Sequence, residues 1–157
     1  MIGFFLFALS APARAETPEE WIEISRHVHG DFGTLIAVGL RIGLDALYRL
    51  EAKPGEVNVT YIDGATAPCP CVADGIMIAT RATPGHGTMQ VALVHPRPGL
   101  VGVAIVSRGI GGKTLRYEIP DRLLPVLLER NKTLDRRGRY DSVMKLPDLY
   151  TVTVQDR

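Results

Sequence analysis

Apolar residues in the first third of the chain recur at helical spacing. Trp21, Ile24 and Val28 lie three to four positions apart, behind Thr17, Pro18, Glu19 and Glu20. Those four supply an N-cap, a proline at the first helical position and acids in the first turn. The pattern predicts a helix over residues 16–29, closed by Gly30. A longer helix is predicted over residues 33–50. Ile36, Leu40, Leu44 and Leu47 form its apolar stripe, widened by Leu35, Val38 and Ile42, so it is expected to be largely buried. Arg41, Asp45 and Arg49 recur every four residues as a polar seam expected to pair along the helix. Gly39 and Gly43 leave a strip free of side chains, where another backbone or a ligand can approach closely.

After Pro54-Gly55 the period falls to two. Val57, Val59 and Tyr61 alternate with Asn58 and Thr60, a half-buried strand ending at Asp63-Gly64. A short helix over Val72–Thr80 and a loop over Arg81–Gly87 follow. Strands at Met89–Val94 and Leu100–Ser107 are expected to pair through the turn His95-Pro96-Arg97-Pro98-Gly99. Thr114–Ile119 reads as a further strand after a turn at Gly109–Gly112. Pro120–Arg130 reads as a helix with Leu123, Leu124, Leu127 and Leu128 on one side. Residues 131–140 are charged and expected to be exposed, and Leu149–Val154 reads as a last strand. With no internal repeat and no linker, the chain is expected to be one α+β domain, a mixed or antiparallel sheet packed by helices.

Composition narrows the function classes. The 157 residues are 46% apolar and carry a net charge of +1, which leaves no electrostatic footprint for nucleic acid. No apolar run is long enough to span a membrane in the mature chain. Residues 1–15 read as an export signal, with an apolar stretch from Ile2 to Leu9 and Ala13-Arg14-Ala15 as the cleavage pattern. The folded domain is then expected over residues 16–157, in the periplasm or secreted. Export places Cys69 and Cys71 in an oxidising compartment. A one-residue loop strains disulfide geometry, so two free thiols are expected, with a bound metal as one way of protecting them.

Four clusters invite chemistry. Ser107–Thr114 superficially suggests a phosphate loop, but Ser107 stands where glycine is needed and a strand follows instead of a helix, so a hairpin turn is expected. In His27-Val28-His29-Gly30-Asp31, the two histidines would point about 200° apart on a helix. The break at Gly30 would let His29 and Asp31 converge as nitrogen and oxygen ligands. Cys69-Pro70-Cys71 precedes a helix whose N-terminal amides favour the thiolate, and Asp74 lies in that helix's first turn. Finally, Thr80-Arg81-Ala82-Thr83-Pro84-Gly85-His86-Gly87 flanks a histidine with two glycines. Each cluster also has a plain structural reading: a helix end, a first-turn acid, an exposed loop.

Taken in order, these clusters resemble the FmdE family, a component of formylmethanofuran dehydrogenase. The resemblance runs through His29-Gly30-Asp31-Phe32-Gly33-Thr34, Gly39-Leu40-Arg41-Ile42-Gly43, Cys71-Val72-Ala73-Asp74-Gly75-Ile76-Met77 and the loop from Thr80 to Met89. It spans about residues 20–107. Asp31 stands where the family has a second histidine, Gly33 where it has its first cysteine, Ala82 where it has a loop cysteine and His86 where it has a lysine; no C-terminal zinc ribbon follows. The resemblance implies an α+β core, often a homodimer, whose motifs line one cleft able to hold a metal.

The expected ligands of one transition ion (zinc, iron, nickel or copper) are His29, Asp31, Cys71 and His86, with Cys69 as a fifth. Asp74 is expected to orient a ligand from behind. Thr80, Arg81 and Thr83 are expected to face a small carbonyl or anionic substrate. A non-catalytic metal or small-ligand carrier and a degenerate structural subunit are the alternatives.

Overall fold

Thr17 opens the first helix with a reciprocal cap. Its hydroxyl accepts from the Glu20 backbone N–H, and the Glu20 carboxylate accepts from the Thr17 N–H at 2.6 Å. In the computed structural model, which describes residues 15–92, 94–109 and 112–155, this helix is α1 (Pro18–His29). The export segment expected at residues 1–15 lies outside the described residues except for Ala15, as do residues 110 and 111 of the expected Gly109–Gly112 turn. Gly30 ends α1 in the left-handed region at φ 97°, where a side chain would be strained. Trp21, Ile22 and Ser25 are the buried side of α1, whereas Ile24 and Val28 stay partly exposed.

Helix α2 (Thr34–Arg49) is the core of the molecule, with eleven of its sixteen residues buried. Its glycines meet those of α3 (Cys71–Thr80). A Cβ on Gly39 would lie 2.8 Å from both the Gly75 Cα and the Ile76 nitrogen, and one on Gly75 would lie 2.8 Å from the Gly39 Cα and the Leu40 nitrogen. The side-chain-free strip is therefore filled by the backbone of a second helix. The polar seam on α2 divides. Asp45 accepts from the Arg49 Nε at 2.7 Å and from the Tyr117 hydroxyl at 2.9 Å. Arg41 instead reaches away from the helix, donating from Nη1 to the carbonyls of Val143 at 2.8 Å and Leu146 at 2.6 Å, with its guanidinium over the Tyr150 ring.

The five strands are β1 (Val57–Asp63), β2 (Met89–Ala92), β3 (Leu100–Arg108), β4 (Thr114–Pro120) and β5 (Thr151–Gln155), in the order β2-β1-β3-β4-β5. The expected pairing of the strands at Met89 and Leu100 does not form, because β1 lies between them. Val59 sits opposite Met89 in a parallel ladder and opposite Val106 in an antiparallel one. Parallel neighbours need a crossover, and α3 supplies it between β1 and β2. The proline-rich turn still reverses the chain, but carries it past β1. Val57, Val59, Tyr61, Ala104, Val106, Leu115, Tyr117 and Ile119 make the buried face and join the same apolar cluster as α1, α2 and α3. Thr60, Ile105, Arg116 and Glu118 occupy the half-exposed opposite face, as one-sided antiparallel sheets allow.

The stretch expected to be charged and exposed is helical. A single turn at Asp121–Leu123 leads into α4 (Leu124–Thr133), and α5 (Arg136–Met144) follows, capped by Asp135, whose carboxylate accepts from the Gly138 N–H at 2.7 Å. The architecture is α+β, in one domain. Among the described residues no helix is long and apolar enough to cross a membrane.

Candidate functional site

Where α1 ends, α2 begins and α3 begins, the three chain segments enclose a cleft of about 190 Å³. His29 and Asp31 line it from the α1–α2 turn, Cys69 and Cys71 from the start of α3, and Leu128, Asn131 and Arg139 from α4 and α5. His29 is fixed by α3. Its Nδ1 lies 2.6 Å from Asp74 Oδ2, and the two side chains are 31% and 36% exposed. A neutral imidazole donating from Nδ1 keeps the Nε2 lone pair for a ligand, which is how a carboxylate commonly sets a histidine tautomer.

Asp31 lines the same cleft as His29 but is held from another side. It turns toward α5, accepting from Arg136 Nε at 2.8 Å, with Arg139 Nη1 at 3.9 Å. The Arg136 guanidinium, helped by the Phe32 backbone N–H, holds its carboxyl below the ordinary carboxylate range. A depressed value means that the pairing contributes above the unfolded-state value and is lost as pH falls through the folded one. Because the pair is about half exposed, Asp31→Asn is expected to cost less than about 1 kcal/mol at neutral pH. Urea unfolding in neutral and in acid buffer checks this; the difference from wild type should vanish in acid.

The two cysteines are not free thiols. Cys69 and Cys71 form a disulfide, with Cα atoms 5.3 Å apart, inside the range a bridge requires. The single intervening residue is Pro70, and the bend that starts α3 brings the two Cα atoms to that separation. A closed loop of three residues constrains the unfolded chain little, on the order of 1.6 kcal/mol against about 3 kcal/mol for fifteen residues.

His86 is exposed on the single-turn helix Pro84–His86, outside the residues of this cleft. Thr80 is fully buried. Its hydroxyl donates to the Ile76 carbonyl at 2.7 Å and accepts from the Ala82 N–H at 3.2 Å, so it finishes α3 and faces no ligand. Arg81 and Thr83 line a different hollow with Glu16, where Arg81 Nη2 lies 3.6 Å from the Glu16 carboxylate. Of the expected site residues, His29, Asp31, Cys69 and Cys71 share one cleft, Arg81 and Thr83 share another hollow, and Thr80 and His86 line neither.

No motif marks Leu128, Asn131 or Arg139 as lining a cleft: Asn131 and Arg139 come from the stretch expected to be solvated, and Leu128 from the apolar side of the helix expected over residues 120–130. Arg139 donates to the Phe32 and Leu134 carbonyls, and Asn131 Oδ1 accepts from the Thr34 N–H at the start of α2. Asp135 followed by Tyr140 and Val143 is the one sequence signal for that helix.

The profile of the FmdE family, described as molybdenum formylmethanofuran dehydrogenase operon, matches residues 28–118, more than half of the chain. The chain belongs to the FmdE family. The matched span of this FmdE-family chain holds His29, Asp31, the two cysteines, Asp74 and His86, and stops short of α4 and α5. No curated protein matches the chain.

With the disulfide closed, the residues of the FmdE-family cleft do not fit a transition ion: the His29 ring is held at Nδ1 by Asp74, Asp31 is held by arginine and both sulfurs are bonded to each other. Among the described residues no group of three or more His, Cys, Asp or Glu side chains is set to hold a metal. Opening the disulfide changes the donor set to one imidazole and two thiolates.

Proposed function

We propose that this FmdE-family domain is an exported binding protein whose cleft takes a zinc or copper ion on His29, Cys69 and Cys71 once the cysteine pair is reduced. The observation that carries the reading is the 2.6 Å contact between His29 Nδ1 and Asp74, on a histidine that lines the same cleft as the two cysteines. One imidazole and two thiolates suit borderline and soft ions better than hard ones. The alanine-rich end of residues 1–15 supports export.

His29, Cys69 and Cys71 would hold the ion, which would supply Lewis-acid chemistry toward a small carbonyl or anionic ligand. Asn131, with its Oδ1 occupied by the Thr34 N–H, has its amide nitrogen as the donor for that ligand.

Competitive zinc titration of reduced and oxidised protein tests the reading. Reduced wild type should bind one equivalent and the oxidised form none. His29→Ala should weaken binding by well over tenfold, and Asp74→Ala by about 10- to 100-fold, since it removes the group that orients the imidazole. Equal affinities for reduced wild type and reduced His29→Ala would overturn it.

A further inference from the structure

We infer that the Cys69–Cys71 disulfide is an exchanging pair that oxidises dithiols entering the cleft. This shares the cysteines with the metal reading, but its reactant is the oxidised form and it needs no ion. Three observations support it. The bridge closes a loop of only three residues, so it is poorly placed to serve as a staple. Both cysteines are part-exposed and face an open cleft, where an incoming thiolate can reach sulfur. And the two sulfurs are inequivalent.

Cys71 is the first residue of the ten-residue helix α3. The residue before it, Pro70, gives the first turn no side-chain cap. The helix end favours negative charge at Cys71, with the Asp74 carboxylate of the same turn turned to His29, while Cys69 lies in the preceding loop. The thiol of lower pKa is the faster leaving group. The polarity of the exchange follows.

A substrate thiolate attacks Cys69 Sγ, the Cys69–Cys71 bond breaks, and Cys71 leaves as thiolate. The second substrate thiolate then attacks the substrate sulfur of the mixed disulfide and expels Cys69. Two electrons pass from the dithiol to the cysteine pair, and the two substrate protons end on Cys69 and Cys71. His29 Nε2, its ring held by Asp74, accepts the first of those protons as the attacking thiol ionises.

The experiment uses the oxidised full chain with a chelator present, so that failure of the metal reading leaves it unaffected. A reduced peptide bearing two cysteines, or dithiothreitol, is added at one equivalent. Disulfide content is followed by acid quench, alkylation and mass spectrometry. Consumption of either dithiol, one per chain and faster than without protein, supports the proposal, and the faster of the two tells whether the natural partner is a peptide or a small molecule. In the single variants, Cys71 (in Cys69→Ser) should alkylate at least about tenfold faster in mildly acidic buffer than Cys69 (in Cys71→Ser). A disulfide inert to both dithiols, or a reduced chain that melts far below the oxidised one, would overturn the proposal.

Discussion

Gly75→Ala will lower the stability of the domain by roughly 3 kcal/mol or more, a fall in melting temperature on the order of 10 °C. Helix propensity alone gives the opposite sign, since alanine is favoured over glycine by about 1 kcal/mol within a helix. Steric contact decides. The added Cβ would meet the Ile36 carbonyl and lie 2.8 Å from the Gly39 Cα and the Leu40 nitrogen, all of them backbone of a buried helix. No rotamer relieves such a contact, so α2 and α3 must separate. Their separation also carries Asp74 away from His29. Gly85→Ala is the control, because nothing lies nearer to its new Cβ than Thr83 Oγ1 at 4.0 Å, and it should stay within about 0.5 kcal/mol of wild type. Thermal unfolding of the three proteins by circular dichroism checks this; a Gly75→Ala protein melting above wild type would refute the close contact.

The second large effect belongs to Arg41→Leu, expected to cost roughly 2–4 kcal/mol. The substitution keeps the apolar stem and removes the guanidinium. The Val143 and Leu146 carbonyls, at the end of α5 and just beyond it, lose their donor from α2. The Tyr150 ring loses the cation 5.6 Å from its centre. Helix C-termini leave carbonyls without internal partners, and a cation is the favourable neighbour there. Urea unfolding gives the magnitude, and amide exchange should rise most in α5. Stability equal to wild type within error would show that solvent replaces Arg41 at no cost.

Arg41 also marks how far the sequence could be read. Its four-residue spacing from Asp45 predicts an along-helix pair, and Asp45 with Arg49 makes one. Nothing in local spacing reveals carbonyls about a hundred residues away. Helices α1, α2 and α3 were legible because caps and apolar period are local, the Thr17–Glu20 box, Gly30 and the glycines of α2 all serving as their chemistry suggests, whereas the polar α5 was not.

Sheet order was not legible. A turn rich in proline and glycine announces a reversal, whereas the insertion of β1 between β2 and β3 is decided by which buried faces match across the sheet. At the cleft, the His29 and Cys69–Cys71 clusters were visible as motifs, but the partner of each was not. His29 meets Asp74, Asp31 meets Arg136, and the sulfurs meet each other because α3 begins where it does.

The lining of this cleft comes from two different stretches of polypeptide. The imidazole, its carboxylate and both sulfurs all fall within residues 28–118, whereas Leu128, Asn131 and Arg139 arrive with the two helices after that span. A descendant that rebuilt the later segment would have to keep its ties to the earlier one, from Asn131 to Thr34, Arg139 to Phe32 and Arg136 to Asp31, or the mouth of the hollow would shift with it.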